Sequence, residues 1–328
     1  MTKRLHIDLE TRSCCDLTVE GSWKYSKHPT TNVLIVGYAL DDEPTQSLIG
    51  DPTVKRIGLP ADLLAALSDE TCEVWAHSAS FERHMFTNVL TPRYGWPEIS
   101  PDRWRCSMAL CGRWGLPQSL ADAAKFLGLQ DQKDKIGHAL MLKMCKPRKV
   151  KKSTKTHWWE SPSDLERLAQ YCRKDVDVER AIAKKLPPLE PEELAIWQWT
   201  EAVNDRGITI DLDLVDAILE IIAGLDKRDL AEFQNLTDGV VESPRQVAAL
   251  RDWLENETDC VLDDLRAATV RDAISDKDVS QTAKKALEAR QNLSKSSLAK
   301  FHALWNGADL DDLRLRGHLR YCGAHTGR

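Results

Sequence analysis

The chain has 328 residues, of which 42% are apolar and 29% charged, as is typical of a soluble protein with more than one domain. Its net charge of −6 excludes a coat of basic residues made for non-specific binding of DNA. There is no apolar run of membrane-spanning length, no signal-peptide core and no CxxC pair, so we expect a cytoplasmic protein with free thiols and no membrane partner.

Strand-like and helix-like patterns alternate over residues 1–90. Residues 4–10 alternate apolar and polar side chains as a half-buried strand does, whereas 32–42 form a run rich in Val, Ile and Leu that is typical of a buried strand. An antiparallel third strand is expected over 45–50, beyond an acidic turn. The next predicted elements are a helix over 59–69, a strand over 72–78 and a helix over 79–90.

Beyond residue 104 the patterns are mostly helical, and a linker divides the chain. A helix over 161–186 is bounded by Ser161-Pro162 and by Pro187-Pro188, which are start and stop signals. The segment 185–193 is the best candidate for a linker. We therefore predict an α/β domain over residues 1–188 and a mostly helical domain over 189–328. The remaining helices include 105–115, 119–129, 137–145 and a long helix over 280–307.

A strongly basic segment, KMCKPRKVKKSTK, occupies residues 143–155. It contains Pro147 and has no apolar period, so it is predicted to be a solvated loop. The sequence leaves two roles open, a solubilising surface and a surface that contacts phosphates. The adjacent Trp158 and Trp159 would either stack on a single strand or pack beneath this loop, and packing is the more ordinary role.

Four carboxylates and a tyrosine form the pattern with the most chemical content. Asp8 and Glu10 point to one face of the first strand, and Glu82 lies in the first turn of a helix with Ser78 as a plausible N-cap. Tyr171 and Asp175 lie four apart on one helix, and so share a face. Taken singly, such acids are usually solvated. If the fold brings them together, cations such as Mg²⁺ or Mn²⁺ must neutralise them, and two such ions suit attack on a phosphodiester.

Three of these segments resemble the motifs of the DEDD 3′–5′ exonucleases, in the subclass that carries a tyrosine. The matching segments are IDLET at 7–11, AHSASFE at 76–82 and YCRKDV at 171–176. The resemblance covers residues 1 to about 185 and implies an RNase H-like fold, with a central mixed sheet flanked by helices.

By this resemblance, Asp8, Glu10, Glu82 and Asp175 would hold two divalent cations, Mg²⁺ or Mn²⁺, and Tyr171 would orient the attacking water. Two residues depart from the motif, which usually carries Asn at the place of Ser78 and Asp at the place of Glu82. Ser78 lacks the amide that could contact the substrate. Glu82 has a side chain one methylene longer than that of aspartate. The implied contacts to DNA in this domain are Thr11, Ser78 and Phe81.

The second half resembles the segment that follows the exonuclease in family A DNA polymerases, particularly those of phages. NDRGITID at 204–211 is similar to a stretch that opens the polymerase portion, and ALEARQNLSKSSLAKFHAL at 286–304 is similar to the thumb helix. Lys295 and Lys300 would contact phosphates there, unless this is an ordinary solvated helix. Because the palm carboxylate motifs do not appear, we expect no polymerase activity from this chain alone. It would be a fragment, or one piece of a split enzyme with a separate palm and fingers chain.

The resemblance implies a proofreading 3′–5′ exonuclease that acts on single-stranded 3′ ends and primer–template DNA, in the host cytoplasm if a phage encodes it. One alternative is an exoribonuclease of the same superfamily. Another is a catalytically weak DNA-binding module of a split polymerase. Digestion of DNA compared with RNA, and the effect of metal ions on digestion, separate these three hypotheses.

Overall fold

The computed structural model describes residues 3–51, 56–129, 134–150, 153–293 and 298–324. The chain forms two compact units, one of Met1–Thr209 with Asp309–Arg328 and the other of Ile210–Ala308. The contacts therefore divide the chain after Thr209, whereas the sequence places a linker near 188. The reason is that the helix after this linker buries Trp197 in the core of the first unit.

A mixed sheet of five strands forms the centre of the first unit. The strands are β1 (Arg4–Arg12), β2 (Asn32–Leu40), β3 (Gln46–Ile49), β4 (Glu73–Ala76) and β5 (Trp104–Cys106). Their order is β3-β2-β1-β4-β5, in which β2 is antiparallel to both β1 and β3, whereas β4 is parallel to both β1 and β5. Eight of the nine residues of β2 are buried, which explains why this central strand is an unbroken apolar run.

The structure confirms the strands that the sequence predicts near 4–10, 32–42, 45–50 and 72–78. It corrects one prediction, since Arg105 and Cys106 belong to β5 and not to a helix. This strand forms because Val74, Trp75 and Ala76 of β4 pair with it, although three residues are too few to show a strand period.

Nine α-helices surround this sheet in the described part of the first unit. They are α1 (Leu17–Lys27), α2 (Ala61–Ser68), α3 (Ser80–Met85), α4 (Thr91–Tyr94), α5 (Ser107–Arg113), α6 (Leu120–Phe126), α7 (Lys135–Met144), α8 (Pro162–Lys185) and α9 (Pro191–Arg206). A π-helical turn, Phe86–Leu90, separates α3 from α4. The sequence analysis missed α1, which begins where the side chain of Asp16 accepts the N–H of Thr18 and is interrupted by a left-handed Gly21.

Helix α8 lies across β1, β2 and β3 and sets the geometry of the unit. The helix begins after Ser161, whose side chain accepts the N–H of Asp164. Pro162 follows in the first turn, where the backbone N–H has no partner within the helix and its absence costs nothing. The helix approaches β2 closely at Gly37. A Cβ atom at Gly37 would lie 2.8 Å from the Sγ atom of Cys172 and 3.2 Å from its carbonyl oxygen. Glycine is therefore required there for contact between helix and sheet.

The second unit is helical, as the sequence predicts. Its helices are α10 (Leu212–Leu236), α11 (Val247–Thr258), α12 (Ala267–Ser275), α13 (Gln281–Leu293) and α14 (Ala299–Gly307). They enclose a core that includes Phe233, Leu250, Leu254 and Leu287. The helix predicted over 280–307 corresponds to α13 and α14, with residues 294–297 outside the described part.

Three short strands of the described chain lie near the two places where the chain passes from one unit to the other. Strand β6 (Ile208–Thr209) pairs antiparallel with β8 (Arg314–Leu315) in the first unit, and β7 (Ala308–Asp309) lies between α14 and β8 along the chain. Among the helices that the structure describes, none combines the length and the apolar character needed to cross a bilayer.

Candidate metal centre

Asp8 and Glu10 of β1 lie beside Cys172 of α8. One carboxylate oxygen from each acid and the Sγ atom of Cys172 all lie within 4.8 Å of one another. The register of β1 on β2 shifts directly after Glu10, because Glu10 faces Ile35 whereas Thr11 faces Val33. Such a bulge redirects the side chains near the end of a strand. Asp8 and Glu10 precede this shift and point to the same face because they are two residues apart on the strand, and Glu10 is buried.

Cys172 is the member of this cluster that the sequence analysis missed. Its thiol donates hydrogen bonds to the backbone oxygen of Asp8 at 3.4 Å and to Oδ2 of Asp8 at 3.2 Å. Burial raises the pKa of Cys172 well above its usual value, and the charges of Asp8 and Glu10 add to this effect. The group is therefore a neutral donor toward Asp8. Its position next to Tyr171 in the third motif was the available signal.

Tyr171 and Asp175 meet on the same face of α8. The Tyr171 hydroxyl is hydrogen-bonded to the Asp175 carboxylate, and burial followed by the charge of Asp175 raises the pKa of Tyr171. Tyr171 therefore keeps its proton at neutral pH. The ring packs against α7 at Gly137, where a Cβ atom would lie 2.5 Å from Cδ2 of Tyr171. Helix α7 thereby fixes the position of the tyrosine.

Glu82 is buried at the start of α3, with 3% of its surface exposed. Among the described residues, its Oε2 atom has no hydrogen-bond partner. Burial raises the pKa of Glu82 well above its usual value, and the negative charges of Asp8 and Glu179 raise it further. A buried carboxylate beside other carboxylates is costly unless a cation or a proton neutralises it.

Ser78 is not the N-cap of α3 that the sequence predicts. Ala79 occupies that position without a side-chain bond, and Ser78 adopts a left-handed backbone conformation with φ of 65°. The carbonyl of Ser78 accepts the N–H of Phe81 at 2.9 Å. The turn after β4 is therefore closed by backbone atoms, which leaves the hydroxyl of Ser78 out of the cap.

The structure places the predicted acids in two groups, and Asp8 of the first group acts electrostatically on the second. Asp8 and Glu10 belong to the 4.8 Å cluster, whereas Glu82 and Asp175 lie outside it. The charge of Asp8 nevertheless raises the pKa of Glu82 and of Tyr171, the partner of Asp175. A strand, a helix start and a long helix thus direct their acids toward one region. The roles of these residues stay predictions.

The predicted DNA-contact residues occupy different places. The hydroxyl groups of Thr11 and Tyr25 are 2.8 Å apart, and the ring centroids of Tyr25 and Phe81 are 6.0 Å apart, so Tyr25 connects the predicted residues Thr11 and Phe81. Lys300 is exposed on α14 in the second unit. Lys295 lies outside the described residues.

A buried hydrogen bond that the sequence analysis missed links the acidic face of α8 to β1. Nδ1 of His6 lies 2.5 Å from Oε2 of Glu179, and both side chains are buried. His6 precedes Asp8 by two residues on β1, and Glu179 follows Asp175 by one helical turn on α8. This pair joins β1 to α8 beyond the metal cluster and so restrains their separation.

A second polar network links α1, α3 and α9. It connects a serine, a histidine and an aspartate in the sequence of hydrogen bonds found in the catalytic triads of hydrolases. Nδ1 of His84 lies 2.9 Å from Oγ of Ser22, and Nε2 lies 3.0 Å from Oδ1 of Asp205. Burial and the charges of Arg83 and Arg316 lower the pKa of His84 to about 3. An imidazole with this pKa is a poor general base at neutral pH, and Asp205 is also paired with Arg83. The network is structural.

The raised pKa of Glu82 predicts how the metal-free protein depends on pH. The unfolded chain ionises Glu82 in the usual carboxyl range, whereas the folded chain keeps its proton to higher pH. Stability is thus fully present below the usual carboxyl pKa and is lost as pH rises toward the pKa of folded Glu82. We expect Glu82→Gln to flatten this loss, measured as Tm against pH in chelator.

The matched control for this measurement is Glu70→Gln, because Glu70 is an exposed acid of the same unit. It should leave the pH profile of the wild type unchanged. Parallel profiles for Glu82→Gln and the wild type would show that Glu82 titrates normally in the folded chain.

Comparison with known proteins relates nearly the whole chain to a polymerase. No protein-family model matches the chain. A DNA polymerase of Bacillus phage SP02 is 32% identical to it over 333 residues, which cover 99% of this chain and 49% of that protein. The chain is homologous to a phage DNA polymerase. The relation to a phage polymerase that the motifs predict is thereby confirmed, and the chain spans about half the length of the curated relative that it matches.

A solved structure gives the corresponding likeness of fold. It is the POL domain of Pol1 from M. smegmatis in complex with DNA primer-template and dNTP. The match has a TM-score of 0.53 and 12% sequence identity, and it covers 99% of this chain and 50% of that chain. At this identity the likeness concerns the fold alone. Neither comparison indicates a separate polymerase chain.

Proposed function

We propose that this protein is a metal-dependent 3′–5′ exonuclease that removes nucleotides from DNA 3′ ends, as the proofreading part of a phage-type DNA polymerase. The observation that carries the proposal is the meeting of Asp8 and Glu10 with the Tyr171–Asp175 face of α8, next to the buried Glu82. The homology to a phage DNA polymerase supports DNA as the substrate.

The residues present fit divalent cations. The carboxylate oxygens of Asp8 and Glu10 lie within 4.8 Å of each other, and Oε2 of Glu82 is buried without a partner among the described residues. Carboxylate oxygens are the ligands that Mg²⁺ and Mn²⁺ prefer. Asp8, Glu10, Glu82 and Asp175 would hold two such ions. When bound, these ions supply charge neutralisation at the phosphodiester and a water of lowered pKa.

The protein's own residues position the reactants. The Tyr171 hydroxyl keeps its proton and donates a hydrogen bond to Asp175, so its oxygen lone pairs remain able to accept a hydrogen bond from the attacking water. Because the pKa of Tyr171 is raised, Tyr171 orients this water and does not take its proton. Phosphoryl transfer depends mainly on such positioning and on charge stabilisation.

The two units take separate roles in this proposal. The mixed sheet, with β1 at its centre, supports an RNase H-like exonuclease domain in the first unit. The helical second unit, Ile210–Ala308, is proposed to be a thumb-like segment that contacts primer–template DNA. Since the palm carboxylate motifs do not occur in the sequence, we propose that this chain alone does not extend primers.

Digestion of a 5′-labelled single-stranded DNA tests the proposal. We expect a ladder that shortens from the 3′ end with Mn²⁺ or Mg²⁺, and no digestion in chelator. An RNA strand of the same sequence is the comparison, because faster digestion of RNA would favour an exoribonuclease. Binding of DNA without digestion under any metal condition would identify a non-catalytic module and refute the proposed reaction.

A further inference from the structure

The basic segment after α7 is a folded loop that displays its cations. The backbone N–H of Arg148 donates to the carbonyl of His157 at 2.7 Å, and this bridge closes the loop. Residues 143–157 contain no acid. The described cations of this segment are all exposed, namely Lys143, Lys146, Arg148, Lys149 and Lys155. A local excess of positive charge on a chain with a net charge of −6 indicates a specific electrostatic surface.

The loop begins beside the metal centre. The N–H of Ser13, which directly follows β1, donates to the carbonyl of Cys145 at 3.1 Å. The charge of Glu10 also contributes to the raised pKa of Cys145. A strand with its 3′ end at Asp8 and Glu10 therefore has the start of this loop within reach.

Two tryptophans hold the loop in place. Lys143 and Arg148 lie over the ring of Trp159, at 4.3 Å and 4.8 Å from its centroid. Arg12, the last residue of β1, lies 4.6 Å from the ring centroid of Trp158. These contacts already use ring faces of both tryptophans, so their function is to support the cations and not to stack on bases.

Arg12, which contacts Trp158 at the base of the loop, has a buried donor atom without a partner among the described residues. Its side chain is buried and donates to Glu160 at 2.8 Å, yet its Nε atom has no hydrogen-bond partner in the described part of the chain. A buried guanidinium N–H that lacks an acceptor is costly. An anionic group at this point would supply the acceptor.

We propose that the described cations of this loop, Lys146, Arg148, Lys149 and Lys155, bind the sugar-phosphate backbone of the single DNA strand whose 3′ end lies in the metal centre, while Trp158 and Trp159 support them. The inference rests on the proposed function and names how its substrate is held. Lysine side chains contact phosphates as point charges, so the binding is independent of base sequence and strongly dependent on salt.

The test measures binding without cleavage. Fluorescence anisotropy of a labelled oligothymidylate is recorded in chelator over a salt series, for the wild type and for the triple variant Lys146→Gln, Lys149→Gln, Lys155→Gln. The cations that lie over the Trp159 ring are Lys143 and Arg148, which the triple variant keeps together with the Arg148–His157 bridge, and among the described residues Lys146 loses only a long ion pair with Asp16 at 3.9 Å, so the loop should stay folded. Loss of three phosphate contacts should weaken binding about 10- to 100-fold at low salt and lower the slope of log K against log salt by about 2.

The matched control removes the same charge from three exposed lysines elsewhere in the unit, with Lys3→Gln, Lys125→Gln and Lys184→Gln. It should bind like the wild type. Equal weakening in both triple variants would show a net-charge effect and overturn the proposal, as would wild-type binding by the loop variant. Loss of binding only in the loop variant would support the loop site even if the wild type digested no DNA.

Discussion

Asp8→Asn and Asp175→Asn should each lower digestion of a labelled DNA strand by about 10³-fold while leaving the fold intact. Asn keeps the shape of the side chain but removes the charge that, in the proposed function, would hold a cation. Asp8 acts on Glu82, Tyr171 and Cys172 at once, because its charge raises the pKa of all three. In chelator, both variants should melt at or above the temperature of the wild type, since repulsion within the acidic cluster falls.

The control for these variants is again the exposed acid Glu70, because Glu70→Gln removes one charge from the same unit without touching the cluster. It should digest DNA at the wild-type rate. Full digestion by either active-cluster variant would contradict the assignment. A Tm far below that of the wild type, with no effect of metal ions, would instead make the cluster structural.

Gly37→Ala should reduce both the stability and the activity of the protein. The added Cβ would lie 2.8 Å from Sγ of Cys172 and 3.1 Å from Cγ2 of Val176, so α8 must move away from β2. Overpacking of this kind typically costs about 1–3 kcal/mol. Because α8 carries Tyr171 and Asp175, its displacement should lower digestion by more than the loss of folded protein explains. Urea unfolding and digestion rates at low temperature measure the two effects.

The matched control is Gly58→Ala, because nothing lies within 4 Å of a Cβ at Gly58. It should leave stability and digestion close to those of the wild type. The double variant Gly37→Ala with Cys172→Ala removes the Sγ contact and should recover part of the lost stability. Wild-type digestion by Gly37→Ala would show that the spacing of α8 and β2 does not matter for the site.

The sequence analysis found the elements whose signals are local. The start of α8 follows from Ser161 and Pro162, and β2 is recognisable because burial on both faces requires a continuous apolar run. It missed α1, whose pattern Gly21 interrupts, and β5, which exists only through pairing with β4. Short elements that depend on their neighbours carry too little periodicity to be found alone.

The same distinction separates the parts of the candidate site. Asp8, Glu10 and Asp175 were identified through their spacing, because i, i+2 on a strand and i, i+4 on a helix define a face. Cys172 and the pair of His6 with Glu179 were not, since each contact joins residues more than 160 positions apart. Gly37 decides how closely the helix approaches the sheet, and a single glycine within a predicted strand gives no signal from which this role could be inferred.

Tyr171 packs against Gly137 of α7, so this helix connects the candidate site to the basic loop. Helix α7 has ten residues, carries Gly137 in its first turn and ends at Met144, where the basic loop begins. One short helix therefore has the tyrosine that is proposed to orient water at one end and the cations that are proposed to bind the strand at the other. If both proposals hold, a bound strand that pulls on the loop would shift α7 and with it the Tyr171 ring, so the rate of the chemical step would depend on how firmly the nucleic acid is held.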